Sequence, residues 1–245
     1  MQSLRSSEDY IYKHVLNVAI LSAIIAGQMG FSVGRINLLV KSAILHDIGA
    51  LKLQQLPDAE DLDDGTKEVV KKNTQETLDR YGDLDEEVLR LITQMQELYT
   101  RESDAEIPAG LKESVNANIL YVADAYDRMT AMKSFEEPTS EVKAVRELLA
   151  DEERYNKKIV NALIHGISIL YPGVCVELSN GEKGLVITEN EDNIFEPTVL
   201  DFRNNNLYDL SDPSVKQTIE IADVMKTMDN RIKLDKSLLE EYQAN

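Results

Sequence analysis

The sequence predicts a mainly α-helical protein: a helical bundle, then a small antiparallel β hairpin or barrel, then a short C-terminal tail. Three observations carry this. Apolar residues recur at helical spacing from residue 8 to about 170, the recurrence changes to alternation after Tyr171-Pro172-Gly173, and Asn180-Gly181 is a dipeptide favoured in tight hairpin turns. A chain of 245 residues, 43% hydrophobic and 29% charged, can bury a core without disulfides or a structural metal.

Taken in order, Ile11, Val15, Val18, Ser22 and Ile25 form one stripe of a first helix that stops near Gly30. Ser32 can cap a second helix, which carries Ile36, Leu39, Val40 and Ala43 and ends at Gly49. The acidic, turn-rich segment from Pro57 to Gly65 reads as a surface loop, and helical patterns resume over Thr66 to Tyr81 and Leu84 to Tyr99. A loop from Thr100 to Pro108 follows. Then come a long helix from about Ala109 to Met132 and helices from about Thr139 to Leu149 and Glu153 to Leu170. Val174, Val176 and Leu178 alternate before the Asn180-Gly181 turn, Leu185 and Ile187 after it, and Pro197 to Phe202 and Leu207 to Leu210 add two short strands. The last 35 residues read as weakly helical and charged, so the expected organisation is 1–170, 171–210 and 211–245.

Composition narrows the function. Twenty-six basic against 44 acidic residues give a formal charge of −18, a field that repels nucleic acid and anionic membrane surfaces, so an anionic substrate would need a metal. The longest uncharged stretch, Val15 to Val33, is interrupted by Asn17, Ser22, Gln28 and two glycines, so no transmembrane helix is expected. A single cysteine, Cys175, and the lack of a signal-peptide pattern point to the cytoplasm.

The chain has three histidines. His14 shares a helix face with Val18, Leu21 and Ile25; His46 and Asp47 extend the apolar stripe of the second helix; Asp124 lies one turn after Leu120 on the long helix. Burying two imidazoles and two carboxylates is costly unless a cation neutralises them, and such a donor set suits one divalent ion such as Mn²⁺, Fe²⁺, Ni²⁺ or Zn²⁺. The same pattern is met by satisfied core histidines and by aspartates that cap helix ends or pair with arginines, and spacing alone favours that second reading.

Three blocks shift the balance. His14-Val15-Leu16-Asn17-Val18-Ala19-Ile20-Leu21-Ser22, then Ala43-Ile44-Leu45-His46-Asp47-Ile48-Gly49, then Ile119 to Thr130 with Asp124-Ala125-Tyr126-Asp127 resemble the HD superfamily of metal-dependent phosphohydrolases. More narrowly, the chain resembles the HD-GYP family of cyclic di-GMP phosphodiesterases, from about Asp9 to Gly173 and on into the hairpin. The resemblance implies that His14, His46, Asp47 and Asp124 hold one metal, with Asp47 the residue on which catalysis would depend.

It also shows departures. The family's second-metal histidines fall on Asn73, Met95 and Gln96, none a good substitute, and the remaining His165 lies beyond Asp124 near the end of the helical region. Met95 continues the stripe of Val88, Leu91 and Ile92 and reads as core, and Glu97 reads as solvated. The Gly-Tyr-Pro loop is replaced by Leu98-Tyr99-Thr100-Arg101-Glu102-Ser103-Asp104, the lysine after the signature pair by Ala50 with Lys52 further on, and Arg-Pro-Tyr by Lys133-Ser134-Phe135. Cys175 reads as strand packing, His165 as structural, and Asp127 as either an acceptor for a core histidine or a surface residue.

The expectation is a degenerate HD-GYP-like signalling domain with one divalent transition metal. The alternatives are a single-metal phosphohydrolase acting on a nucleotide or phosphomonoester, and a metal-free interaction module. A homodimer or a signalling-protein partner and a nucleotide or phosphate ligand are expected, with no nucleic acid and no membrane contact.

Overall fold

The computed structural model describes residues 7–53, 64–81, 84–100, 107–131, 138–190 and 192–225. These form two compact units, the described residues from 7 to 139 with 144–167, and residues 140–143 with the described residues from 168 to 225.

The first unit is helical. Helix α1 (Ser7–Gln28) runs through its centre and packs on α2 (Val33–Leu45), α6 (Val115–Thr130) and α8 (Lys157–Ile167). Its stripe of Ile11, Val18, Ser22 and Ile25 is buried, as the spacing requires, and His14 is buried on the same side. Tyr10–Gln28 is the one stretch among the described residues long and apolar enough to cross a membrane by length and composition, with a mean hydropathy of 1.4. A helix packed on three neighbours carries few charges for the same reason a membrane span does.

Helix α2 ends at Leu45, earlier than Gly49, and Ser32 at its N-cap makes no side-chain capping bond. His46 and Asp47 follow, and the chain tightens into a 3₁₀ turn, Ile48–Lys52. Gly49 permits this. A Cβ there would lie 2.3 Å from both the Thr74 nitrogen and the Val70 oxygen of α3 (Asp64–Arg80), so only glycine lets the turn approach that helix, where its N–H donates to Thr74 Oγ1 at 3.0 Å. The approach fixes Asp47 in place.

Helix α4 (Glu86–Thr100) buries Val88, Leu91, Ile92 and Met95. The long helix expected from Ala109 is interrupted: α5 (Ala109–Glu113) stops at Ser114, and α6 starts at Val115. At this break the side-chain amide of Asn118 donates to the carbonyls of Leu111, Lys112 and Ser114, at 3.0, 3.3 and 2.9 Å. Helix α7 (Glu141–Ala150) follows, and α8 ends three residues short of Leu170, at a point where Ser168 takes a positive φ of 47°. Residues 54–63, 101–106 and 132–137 lie outside the described residues, so parts of the Pro57–Gly65 and Thr100–Pro108 loops, and Lys133-Ser134-Phe135, are not placed.

The second unit is an open antiparallel sheet of order β4-β3-β2-β1-β5. Strands β1 (Cys175–Leu178) and β2 (Lys183–Thr188) pair across the Asn180-Gly181 turn, where Gly181 supplies the positive φ of 81°. β3 (Thr198–Asp201) and β4 (Leu207–Asp209) extend one edge. The other edge was not expected. After the short helix α9 (Pro213–Lys216), capped by Asp212, β5 (Ile221–Val224) pairs with β1 and buries Ile221 fully, so this part of the tail is strand and not weak helix. Residues 226–245 lie outside the described residues.

Candidate metal centre

Three helices deliver the expected ligands to one place. α1 contributes His14, the end of α2 contributes His46 and Asp47, and α6 contributes Asp124; one ligand atom from each lies within 4.8 Å of all the others. His14, His46 and Asp124 are 1% exposed and Asp47 9%.

Both imidazoles are oriented from behind. His14 Nδ1 bonds Asp127 Oδ2 at 2.7 Å, and His46 Nδ1 bonds the Ala43 carbonyl at 2.6 Å. Their Nε2 atoms therefore face Asp124 Oδ1, at 3.0 Å from His14 and 3.2 Å from His46. Asp47 Oδ2 lies 3.7 Å from each Nε2. A carboxylate or backbone carbonyl on the far nitrogen is the arrangement that fixes the tautomer of a metal-ligating histidine. Asp127 is held in turn by the Asn17 amide at 2.8 Å, and Tyr10 stacks on the His14 ring at 5.8 Å.

A cation from the chain itself is also present. Arg128, one turn after Asp124, donates Nε to Asp124 Oδ2 and Nη2 to Asp47 Oδ2, each at 2.8 Å, while its guanidinium lies 4.7 Å from the centre of the Tyr99 ring. Both readings of the two aspartates thus hold at once: each faces the histidines and each pairs with an arginine.

The charges are strongly coupled. Burial and Arg128 oppose protonation of His14, but its hydrogen bonds to Asp124 and Asp127 outweigh them and raise its pKa to about 9. Burial works against the carboxylate of Asp47, yet His46, Arg128 and His14 hold its pKa below the ordinary value. Asp124 is held well below it, against burial, by Arg128 and its bonds to both histidines. Burial pushes Tyr10 up to about 12.

The donor set fits a divalent transition metal: two nitrogens and two carboxylates converge, and both histidines are fixed from behind. The residues at the second-metal positions do other work. Asn73 donates its amide to the Gly49 carbonyl at 3.4 Å, Gln96 donates to the His46 carbonyl at 3.0 Å, and Met95 is 1% exposed in the core. Ala50 is buried; Lys52 is exposed, with Nζ on the Asn73 carbonyl at 3.4 Å. Glu97 and His165 are exposed, and Cys175 is half-buried, its thiol pushed up by burial.

Sequence reasoning left Arg128 without a role. Its position four residues after Asp124, on the face that buries the aspartate, was the available signal; its reach to Asp47, 81 residues away, was not visible in the chain order. Asn17 was likewise missed as the support of Asp127.

Comparison with known proteins agrees with the site. The chain is 24% identical over 225 residues to the cyclic di-GMP phosphodiesterase PdeB of Borreliella burgdorferi, covering 87% of this chain and 58% of that protein. It is 22% identical over 201 residues to a cyclic di-GMP phosphodiesterase of Pseudomonas aeruginosa, covering 80% of this chain and 49% of that protein. The chain thus spans about half the length of these curated relatives. Residues 11–129 match the family model of the HD domain, a span that holds every residue of the cluster and Arg128.

Proposed function

We propose that the chain is a degenerate HD-GYP-like signalling domain that retains one divalent transition metal, Mn, Fe, Ni or Zn, and does not cleave cyclic di-GMP. The observation that carries the reading is the asymmetry around the histidines. Four ligand atoms with both imidazoles fixed from behind serve one ion, while Asn73 and Gln96 spend their amides on backbone carbonyls and Met95 packs in the core. When bound, the metal supplies a Lewis acid beside Asp47. His14, His46, Asp47 and Asp124 hold it, and Asp127 and the Ala43 carbonyl keep the histidines in their ligating tautomer. In this reading the domain is cytoplasmic and works through a homodimer or a signalling partner, with a nucleotide or phosphate ligand.

The relatives' activity as cyclic di-GMP phosphodiesterases motivates the test. Purified chain is incubated with cyclic di-GMP under saturating Mn²⁺ or Fe²⁺, and linear product is followed by chromatography with Asp47→Ala as control. No cleavage above the control is expected. Robust turnover that disappears in the control would overturn the degenerate reading.

One observation favours a second reading, a single-metal phosphohydrolase acting on a phosphomonoester or nucleotide, with Asp47 as its catalytic residue. The Arg128 guanidinium beside Asp47 is the positive charge that phosphate chemistry needs. Metal-dependent release of phosphate from nucleoside monophosphates, absent in Asp47→Ala, would promote it.

A further inference from the structure

We infer that Arg128 stands in for a second cation at the centre and is its phosphate-binding arm, so that the site takes a small phosphate-bearing anion across one metal ion and one guanidinium. The inference rests on the reading above that the four-residue cluster holds one metal.

Three observations lead there. First, the guanidinium shares its carboxylates with the cluster. Asp47 Oδ2 accepts from Arg128 Nη2 and lies 3.7 Å from both histidine Nε2 atoms, while Asp124 turns Oδ1 to the histidines and Oδ2 to Arg128 Nε. Carboxylates that serve two neighbouring positive centres are what two-cation sites use. Second, a guanidinium carries five N–H donors in a rigid fork, and these two bonds do not exhaust it. The side chain keeps 15% of its surface exposed, and its guanidinium lies 4.7 Å from the centre of the Tyr99 ring. Third, formal charges balance at one metal. Asp47, Asp124 and Asp127 carry three negative charges, which Arg128 and one divalent ion cancel; a second divalent ion would leave a buried excess of two. In a chain of net charge −18, an approaching anion depends on local positive charge.

The probes are Mn²⁺ and inorganic phosphate, titrated calorimetrically into the full chain. Saturating Mn²⁺ is expected to give one ion per chain with or without phosphate, and the loaded chain to bind one phosphate. Arg128→Met is expected to keep its metal and lose phosphate affinity at least tenfold, with Arg128→Lys between the two because an ammonium keeps the charge and loses the fork. Unchanged phosphate affinity in Arg128→Met, or none in the wild type, would overturn the inference and leave Arg128 a structural counter-ion. If no metal binds, the reading of the cluster fails separately; the phosphate titration of the metal-free chain then decides on the arm by the same tenfold criterion. Should Arg128→Met not fold, phenylglyoxal labelling of the wild type takes its place. Phosphate should slow modification of Arg128 at least fivefold relative to the exposed Arg35, and equal protection would overturn the inference.

Discussion

The two sides of the candidate metal centre are built from different chemistry. On one side α1, α2 and α6 bring two imidazoles and two carboxylates to a point, each imidazole held by its far nitrogen. On the other, α3 and α4 offer two amides tied to backbone carbonyls and a buried thioether. The first side spends its hydrogen bonds on orienting side chains, the second on fixing the backbone of the His46-Asp47 turn. Polar residues crowd both, yet only one can neutralise a cation.

Substitutions on each side should therefore report on different quantities. The largest effect is expected from Asp47→Ala, which removes a ligand and a partner of Arg128; elemental analysis should find less than about a tenth of a metal per chain, with the helical circular dichroism kept. On the opposite side, Met95→Ala should lower unfolding free energy by about 2–5 kcal/mol in denaturant titrations and leave metal content unchanged, because it opens a cavity and removes no ligand. A change of metal content in Met95→Ala would erase the distinction between the sides.

Asp127→Asn tests the support behind His14. It should weaken metal affinity about 10–100-fold in a competition assay with a chromophoric chelator, since the amide no longer holds Nδ1–H as a carboxylate does. Unchanged affinity would mean that His14 is oriented by packing under Tyr10 alone.

A smaller, graded effect is expected from pH. In the metal-free chain His14 stays protonated up to a pKa of about 9, and a metal must displace that proton, so apparent affinity should rise about tenfold per pH unit on approaching 9 from below. The stability of the metal-free chain should move the other way. The folded pKa lies above the ordinary 6.5, so the protonated His14 contributes fully below about pH 6.5, and its contribution is lost as pH rises through about 9. Melting temperatures of chelator-treated protein across pH 6–10 check the sign.

How much of this the sequence disclosed follows from what each feature depends on. His14, His46, Asp47 and Asp124 stood out because each interrupts an apolar helical stripe, a local property, but spacing alone favoured core histidines and paired aspartates, and it was the resemblance of three blocks to the HD superfamily that implied a ligand set. The hairpin was legible because alternation and Asn180-Gly181 are local too. Arg128 was not, because its partner Asp47 is 81 residues distant and only the packing of α6 beside the end of α2 joins them. The break at Ser114 is accompanied by the Asn118 side chain reaching back to three carbonyls, and β5 is four residues that pair with the edge that β1 offers. Period alone reads through both.

The one-metal centre is tested most directly by elemental analysis of protein purified without a histidine tag and dialysed after loading with excess Mn²⁺. Close to one metal per chain, falling to background in Asp47→Ala, is the expected result. Two metals per chain would contradict it, since the amides of Asn73 and Gln96 would then have to leave their carbonyls to build a second site.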